Sequence, residues 1–229
     1  MTETEKIVAQ RYGTPQADSD KKKESVADII RRAKQYAVKT TSENVDYSNI
    51  DTIKKILYQN IEYQCNFRNR KFMLTDEFSE ATDKVIDWLC GGYLEYRWLL
   101  LSGNCGTGKT TVAKAILSVF AKQGQNYVEK SSYDIDILYK YVDSNKRAAD
   151  EFNILKSAPL LFIDDLGVEK NSDGIKEILY FRYNQMLVTI FTTNHSYSDL
   201  SSVYDARIFD RIEELTLPIV FVGESFRKK

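Results

Sequence analysis

The sequence contains one stretch that decides the fold, Gly103-Asn104-Cys105-Gly106-Thr107-Gly108-Lys109-Thr110-Thr111. Residues 103–110 fit the phosphate-loop pattern G-x-x-x-x-G-K-[ST]. The apolar run 98–101 before the loop predicts a buried strand. After the loop, helical spacing of apolar residues predicts a helix, with Val112, Ile116, Val119 and Phe120 on one face. A strand, a glycine loop and a helix in this order predict a phosphate-binding site at the start of the helix.

The start of such a helix is suited to binding a triphosphate. Its first backbone N–H groups have no partner within the helix and carry partial positive charge, and phosphate oxygens supply the missing acceptors. Because a Cβ would collide with the phosphates, we attribute the glycines at 103, 106 and 108 to close approach of the backbone. We expect Lys109 to reach the β- and γ-phosphates and the Thr110 hydroxyl to bind Mg²⁺. The expected cofactors are ATP and Mg²⁺.

Composition narrows the class of protein. The 229 residues are 43% hydrophobic and 28% charged, with a net charge of −1, which is typical of a globular protein with a sizeable core. No apolar run approaches the roughly 18 residues that a membrane span needs. The polar N-terminus does not resemble a secretory signal, and three cysteines without paired spacing predict neither a disulfide framework nor a zinc site. We therefore expect a cytoplasmic protein that does not associate with a membrane.

The character of the chain changes near residue 70. Residues 1–70 contain a flexible lysine-rich segment and two helical patterns, which predict a small helical N-terminal module that binds a protein partner. One pattern begins at Val26, and the other has apolar residues at Ile50, Ile53, Leu57 and Ile61. Residues 71–229 alternate strands with helices, which predicts an α/β domain whose parallel sheet lies between helices. The five expected strands are 98–101, 126–129, 160–164, 187–192 and 219–222.

Polar residues follow two of the predicted strands. Asp164 and Asp165 end one buried strand, and Asn194 ends the next. Ligands of open parallel sheets bind at the carboxyl ends of strands, so Asp164 can hold Mg²⁺ and Asp165 can orient and deprotonate an attacking water. Asn194 can align that water without adding charge. An acidic turn and an asparagine turn remain the plain alternatives.

Two further segments carry arginines. Arg207 and Arg211 lie four residues apart and share a face of a short predicted helix, and Arg227 lies near the end of the chain. Composition alone does not separate a site role from an ordinary solvated face.

The ordered set GNCGTGKTT, LLFIDDLG, TIFTTN, ARIFDR and GESFR resembles the AAA+ ATPases of the DnaC-type helicase-loader family, with the related transposition-helper ATPases. The resemblance extends over about residues 72–227. It implies a P-loop NTPase core, ATP hydrolysis, and single-stranded DNA binding by a homo-oligomer. It also implies roles: Walker A for 103–111, Walker B for Asp164 and Asp165, sensor 1 for Asn194, the arginine finger for Arg211, and sensor 2 for Arg227.

Two departures from that pattern matter. Many AAA+ proteins have Glu at the position of Asp165, so the shorter side chain predicts slow hydrolysis or a nucleotide-gated switch. Only 18 residues follow Arg211, too few for the helical lid of most AAA+ proteins, so we expect no C-terminal lid.

The leading hypothesis is a replicative-helicase loader that acts in DNA replication with a helicase and single-stranded DNA. A transposition helper acting on duplex DNA with a transposase, or a non-hydrolysing nucleotide-switch adaptor, are the alternatives. A small-molecule kinase is disfavoured because no basic lid is evident. Candidate DNA contacts are basic or aromatic residues within 127–147, such as Lys130, Tyr133, Lys140 and Lys146. Tyr139 and Tyr141 fit a place in the core or at an interface equally well.

Overall fold

The computed structural model describes residues 49–70 and 72–226. Two helices, α1 (Ile50–Phe67) and α2 (Asp76–Leu89), precede the first strand. The elements that follow are β1 (Trp98–Gly103), α3 (Lys109–Lys122), β2 (Tyr127–Ser131), α4 (Ser132–Tyr139), α5 (Lys146–Ser157), β3 (Leu160–Asp164), α6 (Asp173–Asn184), β4 (Val188–Thr193), α7 (Tyr197–Val203), α8 (Ala206–Leu215) and β5 (Thr216–Phe221). The helical pattern predicted from Val26 lies outside the described residues.

The strands form one parallel sheet in the order β2-β3-β4-β1-β5. The predicted five-stranded α/β architecture is therefore confirmed. The fifth strand begins at Thr216, three residues earlier than predicted, and Pro218 lies within it opposite Leu100. A proline is tolerated there because β5 is an edge strand, where one N–H faces away from the sheet. Within the described residues, no helix follows β5.

Helices cover both faces of the sheet. Successive side chains of a strand point to opposite faces, and β1 shows this division clearly. Leu99 and Leu101 pack with α1, α2 and α3, whereas Trp98 and Leu100 pack with the helices from α4 to α8. All four of these side chains are fully buried. A strand buried on both faces explains why β1 is a continuous apolar run.

Helix α1 belongs to the same core as the residues after 71. The sequence places this helix in a separate N-terminal module, but its side chains at 53, 56, 57 and 61 are buried in one cluster with α2, α3 and the sheet. Asn49 caps its first turn by accepting from the backbone N–H groups of Asp51 and Thr52. The expected boundary at residue 70 thus runs through a packed core. An apolar stripe shows that a helix face is covered, but not what covers it.

No helix in the described ranges is both long and apolar enough to cross a membrane.

The packing of α1 predicts how two substitutions on it differ. Leu57 is fully buried, whereas Ile50 is 49% exposed on the same helix. We expect Leu57→Ala to lower the free energy of unfolding by about 2–5 kcal/mol, because it opens a cavity in the shared core. Ile50→Ala is the matched control and should change it by no more than about 0.5 kcal/mol. Urea unfolding of the full chain measures both. Equal small effects would contradict docking of α1 in the core.

Candidate functional site

The glycine loop joins β1 to α3 at the carboxyl edge of the sheet. Helix α3 begins at Lys109, and Gly108 precedes it in the left-handed region with φ 98°. Gly103 and Gly106 also have positive φ, at 134° and 88°. Side chains disfavour this region, so the loop conformation depends on glycine at these positions.

The chain itself crowds these glycines. A Cβ on Gly103 would lie 2.1 Å from the carbonyl oxygen of Phe221, and a Cβ on Gly106 would lie 2.0 Å from Ser225 Oγ. The segment after β5 crosses the loop, and the Phe226 N–H donates to the Gly106 carbonyl at 3.0 Å. From the sequence, close approach of the phosphates is the only reason for these glycines. The structure adds that β5 and the segment after it leave no room for side chains.

Lys109 lies inside the loop with only 5% of its surface exposed. Its Nζ donates to the carbonyl oxygens of Gly103 at 2.7 Å and Asn104 at 2.8 Å, and to Asn194 Oδ1 at 2.9 Å. These three neutral oxygens are among the contacts that hold the ammonium group at the N-terminal end of α3. Phosphate oxygens would be stronger acceptors for it because they are charged.

Asp164 ties three elements together. Its Oδ1 accepts from Thr110 Oγ1 at 3.0 Å and from Thr192 Oγ1 at 2.5 Å. The first hydroxyl lies in the first turn of α3, the carboxylate ends β3, and the second hydroxyl lies on β4. A hydroxyl and a carboxylate side by side are hard oxygen ligands of the kind that Mg²⁺ prefers. The structure therefore brings together the two predicted metal ligands, Thr110 and Asp164.

Asp165 is held by its backbone. Its φ is 54°, an uncommon value that Asp tolerates better than most residues. Its N–H donates to Thr192 Oγ1 at 2.9 Å, and its carbonyl accepts from Ser132 Oγ at 2.5 Å. Its Oδ1 lies 3.4 Å from Asn194 Nδ2. Asn194 therefore contacts both Lys109 and Asp165.

A pocket continues from the loop toward α1 and α2, and sequence reasoning missed this part. Its apolar lining includes three aromatic rings, with centroids 5.7 Å apart for Phe72 and Phe78 and 5.9 Å for Phe78 and Phe226. The other lining residues outside the glycine loop, Asp165 and Asn194 are Ile61, Cys65, Arg68, Arg70 and Met73. No local motif marks these residues, because α1, the residues before α2 and the end of the chain meet only in the folded protein.

Burial raises the pKa of the Cys65 thiol at this pocket, and the positive charges of Arg68 and Arg70 oppose that rise. The thiol therefore stays protonated and packs as a small apolar group.

The predicted arginines are placed differently from the other site residues. The Arg211 guanidinium lies 4.8 Å from the Tyr180 ring centroid and 5.1 Å from that of Tyr183, and it donates to the Arg207 carbonyl at 2.6 Å. Arg207 is exposed. Among the residues that the structure describes, those that line the pocket beside the glycine loop include neither Arg207 nor Arg211. Arg227 lies outside the described residues.

The candidate DNA contacts are divided by their environment. Lys130 forms an ion pair with Glu151, and Lys140 lies 3.2 Å from Asp136 Oδ1. Tyr139 donates to Glu177 and packs against Phe152. Tyr141 packs against the apolar cluster on the α4–α8 face. By contrast, Tyr133 and Lys146 are exposed.

These contacts fit Mg-ATP. A buried ammonium group faces the open start of a helix, a hydroxyl and a carboxylate stand beside it, and an apolar pocket lined by aromatic rings adjoins it. The arrangement can bind a triphosphate at the loop and a flat base in the pocket.

The fold and the loop define a P-loop ATPase, and the comparison with known proteins agrees. The profile of the ATPase family associated with various cellular activities (AAA) matches residues 99–217, more than half of the chain. The chain belongs to this family of ATPases.

Replication proteins stand among its relatives. The replicative helicase loader DnaI of Bacillus subtilis (strain 168) is 28% identical over 148 residues, which cover 56% of this chain and 47% of DnaI. The chain thus spans about half the length of that relative. A crystal structure of the DnaC helicase loader superimposes with a TM-score of 0.56 at 24% identity, covering 74% of this chain and 99% of that one. These findings support the resemblance to DnaC-type loaders.

The initiator DnaA bound to AMPPCP and single-stranded DNA shares the fold. It superimposes with a TM-score of 0.53 at 19% identity, over 68% of this chain and 50% of that one.

The position of Cys105 in the loop offers a direct test of the site. Cys105 is exposed and lines the pocket, whereas Cys90 lies elsewhere and serves as an internal control. With Mg-ATP at ten times its Kd, we expect alkylation of Cys105 to slow by about tenfold, because bound nucleotide covers the thiol. Alkylation of Cys90 should not change. Peptide mass spectrometry measures both rates.

The Lys109→Ala variant completes that test. It should lose the protection of Cys105, because the loop no longer supplies charge to the phosphates. Protection that persists in this variant would place the nucleotide elsewhere.

Proposed function

We propose that this protein is an ATP-dependent DNA replication factor that loads a replicative helicase. The observation that carries the ATPase part is that Asn194 contacts both Lys109 and Asp165. We assign phosphate binding to Lys109, activation of water to Asp165 and alignment of that water to Asn194. The similarity to DnaI supports the loader part.

In this proposal the N–H groups and Lys109 at the start of α3 bind the triphosphate. Lys109 exchanges its carbonyl partners for the β- and γ-phosphates. Thr110 and Asp164 would hold Mg²⁺, and the ion would neutralise charge on the phosphates. The rings of Phe72, Phe78 and Phe226 leave an apolar space for the base beside the loop.

Hydrolysis is assigned to residues of β3 and β4. Asp165 accepts the proton of the attacking water, and Asn194 orients that water through its amide. The Asp165 carboxylate is one methylene shorter than the Glu of many AAA+ proteins, so the water must approach the end of β3 more closely. We infer that turnover is slow, so that the nucleotide state persists long enough to act as a switch.

Arg211 is the proposed arginine finger, and it acts on the nucleotide of a neighbouring copy. It does not line the described pocket of its own chain, which is what action in trans requires. The rings of Tyr180 and Tyr183 hold its guanidinium, so little side-chain freedom is lost when it engages a phosphate. Arg207 is the alternative, because it is exposed one turn earlier on α8.

The partners are assigned to other parts of the chain. Because α1 packs in the ATPase core, we assign helicase binding to residues 1–48. Single-stranded DNA binds the homo-oligomer, with Tyr133 and Lys146 as exposed candidates for contact. A cytoplasmic setting agrees with this role. A transposition helper that binds duplex DNA remains the second candidate, since it would use the same nucleotide site.

A co-purification tests the loader role. The full chain should retain the replicative helicase of its own cell, and the retention should change when ATP is added. A variant lacking residues 1–48 should still bind ATP, because α1 and the core remain intact, but should lose at least about 90% of the retained helicase. Retention of a transposase and duplex DNA instead would favour the transposition helper. Full helicase retention by the shortened variant would move the contact onto the ATPase domain.

Mixing two inactive variants tests the finger. Arg211→Ala keeps its pocket but should lose stimulated hydrolysis, and Lys109→Ala keeps its finger but cannot hold nucleotide. In a random equimolar ring, about one interface in four joins an intact pocket to an intact finger, so we expect up to about a quarter of wild-type ATPase activity. No recovery at concentrations that support assembly would mean that Arg211 acts in cis, whereas normal hydrolysis by Arg211→Ala alone would assign the finger to Arg207. The same mixture made with Arg207→Ala separates these two outcomes.

A further inference from the structure

A second cationic side chain reaches the phosphate loop from outside it. Arg68 follows directly after α1, and its Nη1 donates to Thr111 Oγ1 at 3.2 Å across 43 residues of sequence. Thr111 directly follows the loop motif and lies in the first turn of α3. The contact therefore joins the end of α1 to the helix turn that receives the phosphates.

The backbone that carries Arg68 is held in place by packing and hydrogen bonds. Helix α1 is anchored on the core through Ile53, Leu57 and Ile61, all fully buried. The chain then closes the helix end, because the N–H groups of Arg68 and Arg70 both donate to the Cys65 carbonyl, at 3.0 and 2.9 Å. Asn69 between them has a φ of 51°, which reverses the chain direction. This fixed backbone limits the positions that the Arg68 guanidinium can occupy.

The charge of Arg68 is available to an anion. Arg68 and Arg70 both line the pocket beside the glycine loop and are exposed. Within residues 49–70 and 72–226, neither forms an ion pair. The hydrogen bond from Arg68 to Thr111 uses one of the five N–H groups of the guanidinium, so a planar pair of donors remains for a phosphate group.

The position of Thr111 selects one phosphate. Lys109 serves the β- and γ-phosphates, and Thr110 serves the metal beside them. Thr111 stands one residue farther into α3, on the side of the loop that faces α1 and the apolar pocket for the base. The phosphate nearest to the base is the α-phosphate.

We propose that Arg68 binds the α-phosphate of the nucleotide and so links nucleotide occupancy to helix α1. This inference rests on the proposed nucleotide site. ATP and ADP share the α-phosphate, so Arg68 senses whether the site is filled and not which nucleotide fills it. A nucleotide bound to Arg68 holds the C-terminal end of α1 against the loop. Because α1 follows residues 1–48 in the chain, nucleotide binding is thereby linked to the segment that we assign to partner binding.

Equilibrium binding of Mg-ATP and Mg-ADP to full-length variants tests the inference. We expect Arg68→Gln to weaken both nucleotides by about tenfold, a typical loss for a charge-assisted hydrogen bond, with the ATP/ADP affinity ratio unchanged within about twofold. Arg68→Lys keeps the charge but not the fork, and should fall between wild type and Arg68→Gln. The control is Lys54→Gln, which removes a charge from the same helix where Lys54 pairs with Asp83, 2.8 Å away and outside the pocket. It should bind both nucleotides as wild type does.

The other outcomes overturn specific parts. Wild-type affinity of Arg68→Gln for both nucleotides, with binding lost in Lys109→Ala, would refute the role of Arg68 and leave the site intact. Loss of ATP affinity alone would refute the α-phosphate placement. Equal losses in Arg68→Lys and Arg68→Gln together with lower thermal midpoints would show a purely structural contact. Wild-type binding by Lys109→Ala would refute the proposed function itself.

Discussion

The site depends on Asp164, whose side chain accepts two hydrogen bonds from different elements of the fold. One carboxylate oxygen receives the hydroxyl of Thr110 from α3 and that of Thr192 from β4. Because Asp164 ends β3, the contact fixes the start of α3 to the two neighbouring strands β3 and β4, which lead to the remaining polar residues of the site. Neighbouring parallel strands end at the same edge of the sheet. Because β3 and β4 are neighbours, the strand order alone brings the residues at their carboxyl ends side by side. The two hydroxyls keep the carboxylate hydrogen-bonded in a partly buried setting.

Part of this arrangement follows from sequence patterns. The glycine loop, the strand ending in Asp164 and the strand leading to Asn194 could be predicted, because motif spacing and apolar runs are local properties. The sequence offers either Thr75 or Asp76 as the cap of α2, and in the structure the Thr75 hydroxyl accepts from the Phe78 N–H at 3.3 Å. The docking of α1 could not, since periodicity shows an apolar face without its partner.

The pocket beyond the loop escaped prediction for the same reason. Arg68 and Phe226 reach Thr111 and Gly106 across 43 and 120 residues of sequence, and no pattern within either segment points to the other. The roles of the predicted catalytic residues stay predictions, although the structure brings Asp165 and Asn194 within 3.4 Å. Gly106 is another example of such a contact. The motif predicts a glycine there, and the structure adds a second reason for it, because Ser225 leaves no space for a side chain.

Hydrogen bonds connect the loop after Asp165 to the end of β4 on one side and to the residues just before α8 on the other. The Thr193 hydroxyl donates to the Leu166 carbonyl at 2.7 Å, and the Gly167 N–H donates to Glu169 at 2.9 Å. Glu169 also accepts from the hydroxyl of Tyr204, which lies two residues before α8. Burial raises the pKa of Tyr204 well above its ordinary value, so this hydroxyl keeps its proton and remains a donor. The backbone that follows Asp165 is therefore connected through Glu169 and Tyr204 to the start of α8, the helix that carries Arg207 and Arg211. A shift of this loop must therefore strain these hydrogen bonds or move the start of α8.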